Sequence, residues 1–185
     1  MMRPTWFDLA AFAWGFAEAT LFFIVPDVLL SYIGLRRGAK AAATASLYAA
    51  VGAGLGGALM FAWSSASAEA ARAAVLSVPA INEAMATDAA ASVETHGWFV
   101  ATLIGPLATT PYKLYAVLAP HAGAPFLQFA AASILARLPR FLIVSVGVAF
   151  IGRALAPRFG ARGVLWLLAG AWLLFYAAYF WLHPS

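Results

Sequence analysis

Residues 6–33 read WFDLAAFAWGFAEATLFFIVPDVLLSYI, an apolar stretch interrupted by Glu18 and by the pair Pro26-Asp27. As one straight helix this stretch would be about 42 Å long at 1.5 Å per residue, too long for a ~30 Å hydrocarbon core. A carboxylate at membrane depth costs roughly 2.5–3.5 kcal/mol on insertion scales, so it faces a cavity or a partner. Proline breaks the segment, and broken helices survive in bilayers only where protein buries them or they line water. The stretch therefore predicts a re-entrant hairpin of two short arms. Acid and break together mark a transport site rather than an anchor.

Composition places the whole chain in the membrane. Its 185 residues are 64% hydrophobic and only 10% charged, with a mean hydropathy of +0.87, whereas soluble domains are about 25% charged. At this length an all-α integral membrane protein with a single membrane domain over residues 1–185 is expected. Cysteine is absent, which excludes a disulfide framework, a thiolate metal site and a cysteine nucleophile. The net charge of +4 includes no basic run that could track nucleic acid. It is gathered instead in Arg36-Arg37-Lys40 and Arg153-Arg158-Arg162. Such clusters mark cytoplasmic loops and also attract anionic lipid head groups. Arg3 before an apolar run and the Ala17-Glu18-Ala19 triplet have the form of a signal peptide. Asp8 and the hydrophobicity continuing past Ala19 argue against cleavage.

Five hydrophobic segments stand out: Trp6–Ile33, Ala41–Trp63, Gly97–Ala119, Pro125–Ile151 and Val164–Leu182. Ser64–His96 between the second and third is polar and broken by Pro79, so it reads as two short surface helices. With Arg36–Lys40 cytoplasmic, Ala41–Trp63 crosses outward and the acidic loop is external. If Gly97–Ala119 also crossed, Arg153–Arg162 would lie outside, against the positive-inside rule. Pro106 and Thr109-Thr110-Pro111 in mid-segment suit a dip instead. The expected architecture is two inverted repeats, each a re-entrant helical hairpin plus a spanning helix, then a C-terminal transmembrane helix, as in many transporters. A shift of 85 residues superposes Pro26 on Pro111, Leu29 on Leu114, Gly38-Ala39 on Gly123-Ala124 and Ala45 on Ala130.

The polar residues inside these segments are the candidate site. Thr110-Pro111 reads as a helix start, with Thr as N-cap and Pro at the first position, where unpaired N–H groups attract anions. Lys113 in that first turn opposes the helix dipole and makes sense if an acid or a phosphate neutralises it; otherwise it snorkels to the surface. Pro26-Asp27 is the counterpart start in the first hairpin, where the dipole favours the acid. Nothing structural requires Glu18 in an apolar arm. Arg137 and Arg140 share a helix face, with Pro139 between them predicted to kink the helix. They pair with Glu18 or Asp27, bind a phosphate bidentately, or lie near the cytoplasmic end. Gly52 and Gly56 form a GxxxG that serves packing within one chain or between chains of a homo-oligomer alike. Trp172, Tyr176, Tyr179, Phe180 and Trp181 read as an interfacial aromatic belt.

Enzyme signatures find no support. His96, His121 and His183 lack metal-ligand spacing, and neither a G-x-S-x-G elbow nor a phosphate-cradling glycine loop occurs. No enzymatic activity, cofactor or metal is therefore expected.

Glu18 followed by Pro26-Asp27, the run Thr-Pro-Tyr-Lys-Leu-Tyr at 110–115 and Arg-x-x-Arg-Phe at 137–141 resemble the DedA family. More narrowly the chain resembles the YqaA-type branch of the VTT, or SNARE-associated Golgi protein, superfamily, over about residues 17–152. The resemblance implies a role in membrane homeostasis by moving phospholipids or undecaprenyl phosphate, in some members driven by the proton-motive force. It implies that Glu18 and Asp27 match the family's essential acids, and Arg137 and Arg140 its essential arginines. This chain has Pro-Asp where the family has Pro-Gly-acid.

The expected function is a multi-pass transporter, flippase or scramblase of a phosphate-bearing lipid in the bacterial inner membrane. Glu18 or Asp27 would couple protons, while Thr110, Lys113, Arg137 and Arg140 would hold the phosphate. The alternatives are a proton-coupled small-solute or ion transporter and a non-transporting membrane scaffold.

Overall fold

The computed structural model describes residues 4–105 and 110–182, and these residues are helical without a strand among them. Arg3, Pro106, Thr109 and His183, used in the reading above, lie outside the described residues. The helices are α1 (Trp6–Ala19), α2 (Asp27–Arg37), α3 (Ala39–Ala66), α4 (Ala68–Leu76), α5 (Glu83–Ile104), α6 (Tyr112–Leu118) and α7 (Phe126–Leu182). A 3-10 turn at Ala119–Ala122 joins α6 to α7. Two of them, α3 and α7, are long and apolar enough to cross a membrane.

The first stretch breaks where its proline predicts. Helix α1 begins on a Thr5–Asp8 capping box and stops at Ala19; α2 restarts at Asp27 with Pro26 as N-cap. At 14 and 11 residues these arms are about 21 and 17 Å long, so neither spans a bilayer core. Gly38, at φ 84°, ends α2 and starts α3 in a conformation that disfavours a side chain.

Helix α3 is the hub, because its small residues let neighbours approach backbone to backbone. A Cβ on Gly52 or Gly56 would strike the Phe12 or Phe16 carbonyl, and one on Gly15 the Ala49 carbonyl. The GxxxG motif thus packs α3 on α1 within one chain. Gly54 backs onto Ile134 of α7 and Gly57 onto Tyr112 of α6, so one helix receives three partners. Ser46 and Ser145 add a buried hydrogen bond of 2.9 Å between α3 and α7.

Three places bear on the sequence reading. The last two segments are two helical arms of α7, over 126–159 and 161–182, which meet directly at an elbow at Gly160 (φ 69°, ψ 165°). Pro139 does not interrupt α7; the only non-helical dihedrals are at Gly160, since proline removes one hydrogen bond while neighbouring packing holds the turn. The polar segment does form two helices either side of Pro79, α4 and the part of α5 before its kink at Gly97. They are not merely surface helices: Ala71, Val75, Met85 and Ala89 join Tyr115 and Val117 in one apolar cluster.

The two arms of α7 clasp α2 between them. Gly34 of α2 abuts the Ser145 carbonyl on the first arm. On the second arm Trp172 Nε1–H donates to Ser31 Oγ at 3.0 Å, the Tyr176 hydroxyl accepts from Val25 N–H at 2.9 Å, and Phe180 meets Phe23 at 5.9 Å. Residue numbers rise on one side as they fall on the other, so this arm runs antiparallel to α2.

Candidate functional site: two ion pairs and a cavity

The break between α1 and α2 brings both acids to the first arm of α7. Glu18, last but one in α1, pairs with Arg137, and both side chains are almost wholly buried. Asp27, first in α2, pairs through Oδ2 with Arg140 Nη2 at 3.0 Å; the acid is fully buried and Arg140 is 28% exposed. Arg137 also lies over the rings of Tyr112 and Phe141, at 5.1 and 5.3 Å, which favours a desolvated guanidinium. Tyr112 in turn donates to Ser133, fixing its ring. Asp27 Oδ1 and Arg137 Nε are buried without a hydrogen-bond partner.

A cavity of about 640 Å³ opens beside these pairs. Glu18, Thr110, Lys113, Arg137 and Arg140 line it; Asp27 lies behind Arg140 and does not. Five of the six predicted site residues therefore converge on one space although they come from α1, the turn before α6, α6 itself and α7. Lys113 is buried and donates from Nζ to the Phe22 carbonyl at 2.8 Å. It does not snorkel, and no carboxylate pairs with it among the described residues. Lys113 and the arginines thus supply three cations against Glu18 and Asp27.

The geometry revises several expectations. Helix α6 starts at Tyr112 with Pro111 as N-cap and no side-chain cap, so Thr110 is a cavity-lining residue rather than the cap. The pairing that the sequence left open is Glu18 with Arg137 and Asp27 with Arg140. Of the residues read as an aromatic belt, Tyr176 and Tyr179 line the cavity beside Phe175, because the elbow at Gly160 folds the second arm back. Sequence reading missed Tyr112, Ser133 and Tyr176 as site residues; an aromatic in an apolar helix carries no signal of its own.

A serine–histidine contact lies apart from this cavity. Ser64 Oγ donates to the Val117 carbonyl at 2.7 Å and lies 3.0 Å from His121 Nε2. No cluster of metal-ligating side chains occurs among the described residues. In comparisons with known proteins, no family model, no curated protein and no solved structure matches this chain.

Proposed function

We propose that the chain is a DedA-type, multi-pass protein of the bacterial inner membrane that moves a phosphate-bearing lipid between leaflets. The observation that carries this reading is the cavity in which Lys113, Arg137 and Arg140 face a common space with Glu18. Three cations against two carboxylates leave one positive charge, and buried charge calls for a partner. A lipid phosphate supplies it. Lys113 and the partly exposed Arg140 are its first contacts, while Asp27 holds Arg140 from behind. Glu18 is the cavity-facing acid and the group that exchanges a proton. Apolar lining from Phe23, Val78 and Ile81 suits the start of an acyl chain.

A correspondence between the two halves of the chain supports an inverted-repeat reading. Pro26 and Pro111, 85 residues apart, are both helix N-caps. Gly38 and Gly123, also 85 apart, both take positive φ just before a long helix. Arms too short to span, on either side of Pro26, are what a re-entrant hairpin requires.

The test is reconstitution in liposomes with a fluorescent phosphatidylglycerol, followed by bleaching of the outer leaflet. Bleaching beyond the protein-free level is expected, and Arg140→Lys should insert normally yet lose it, because lysine lacks the planar fork. Bleaching that stops at the protein-free level would overturn the proposal. It would favour the second reading, a non-transporting scaffold, for which the two ion pairs also speak, since each arginine already has a carboxylate.

A further inference from the structure

The turn over 20–25 interrupts an apolar stretch, with Leu21, Phe22 and Phe23 exposed, and its backbone groups need partners wherever water is excluded. Three side chains provide them. Trp14 Nε1–H donates to the Ile24 carbonyl at 2.9 Å, Lys113 Nζ to the Phe22 carbonyl at 2.8 Å, and Val25 N–H donates to the Tyr176 hydroxyl at 2.9 Å. Trp14 belongs to the adjoining arm, but Lys113 and Tyr176 reach the turn from two distant elements, and both line the cavity. Having accepted from Val25, the Tyr176 hydroxyl keeps its own proton to donate, and no acceptor for it occurs among the described residues.

From this we infer that Tyr176, on the C-terminal arm, is a ligand-binding and positioning residue of the site: its hydroxyl fixes the turn before Asp27 and donates to the anionic oxygen held by Lys113 and Arg140. The inference rests on the lipid-phosphate reading for its second part only. Val25 immediately precedes the Pro26-Asp27 helix start, so the hydrogen bond sets where α2 begins and hence where Asp27 holds Arg140. The second arm of α7 is then part of the machinery. The elbow at Gly160 is what allows it, since the positive φ there folds the arm back along α2.

Two variants separate this role from simple docking of the arm. Tyr176→Phe keeps the ring and removes the oxygen. Trp172→Phe removes the other hydrogen bond between the arm and α2, from Trp172 to Ser31, but Trp172 does not line the cavity. Amide exchange at Val25, measured by NMR on the full chain in nanodiscs, should quicken at least about tenfold in Tyr176→Phe and stay near the parent in Trp172→Phe. Equal exchange in the parent and Tyr176→Phe would overturn the positioning role.

In liposomes carrying fluorescent phosphatidylglycerol, Tyr176→Phe should raise the half-saturating lipid fraction by about tenfold, as loss of one hydrogen bond to a charged group does. Trp172→Phe should leave it unchanged. The same half-saturation in Tyr176→Phe as in the parent, or an equal rise in both variants, would remove Tyr176 from the ligand contacts. A parent that moves no lipid would sink the transport reading and with it the ligand contact, while Val25 exchange would still decide the tie.

Discussion

The two ion pairs sit on one helix face three residues apart, yet they are built differently. Glu18–Arg137 is nearly closed: the guanidinium lies over the rings of Tyr112 and Phe141, and neither partner is more than marginally exposed although both border the cavity. Asp27–Arg140 is open on one side, with the acid fully buried and the arginine 28% exposed to the cavity. A closed pair must match charge for charge, because removing one partner strands the other in a low dielectric. The open pair has solvent on one side and can exchange its contacts. The first therefore fastens α1 to α7, and the second presents a cation to whatever enters.

Breaking the closed pair should have the largest effect. Arg137→Gln leaves Glu18 uncompensated and should cost about 3–5 kcal/mol, seen as a lower thermal midpoint in detergent. Adding Glu18→Gln should recover most of that loss. If the single variant melts with the parent, the pair is not the fastening it is taken to be.

Arg140→Gln should cost less, about 1.5–3 kcal/mol, the range for a hydrogen bond to a charged group, because the cavity hydrates what remains. A loss as large as that of Arg137→Gln would erase the distinction between closed and open pairs. Smaller again are the couplings across pairs. Double-mutant cycles should give clear interaction energies for Glu18 with Arg137 and for Asp27 with Arg140. Glu18 with Arg140 should be additive to within about 0.5 kcal/mol. Coupling concentrated in that crossed pair would show that the partners are exchanged.

The smallest expected difference is between the two acids in their response to pH. Glu18 touches the cavity and Asp27 does not. Glu18→Gln should therefore flatten the pH dependence of lipid movement. Asp27→Asn should lower the rate by a similar factor at every pH, through misplacement of Arg140. Equal pH profiles for the two variants would remove the difference between the acids.

How much of this was legible in the residues can be judged from particular elements. The break at Pro26, the start of α2 at Asp27 and the two helices flanking Pro79 follow from local chemistry, since proline, glycine and polarity act within a few residues. Lys113, Arg137, Arg140 and Glu18 stand out because charge is costly in an apolar chain wherever it folds. Tyr176 was read as an interfacial belt residue because nothing near it in sequence reveals Val25. The elbow at Gly160 was unreadable for the same reason, as a glycine in an apolar helix is equally at home in packing.

By itself, then, the sequence determined that the chain is helical and apolar, where its first helix breaks, and which charged side chains need partners. These are consequences of dihedral limits and solvation, which each residue carries with it. Only the tertiary structure decided that Glu18 takes Arg137 and Asp27 takes Arg140, that GxxxG packs α3 on α1 within the chain, and that the C-terminal arm supplies a cavity wall. Those outcomes depend on distances between residues far apart in the chain, fixed by how closely the glycines of α3 let its neighbours approach and by the turn of the backbone at Gly160.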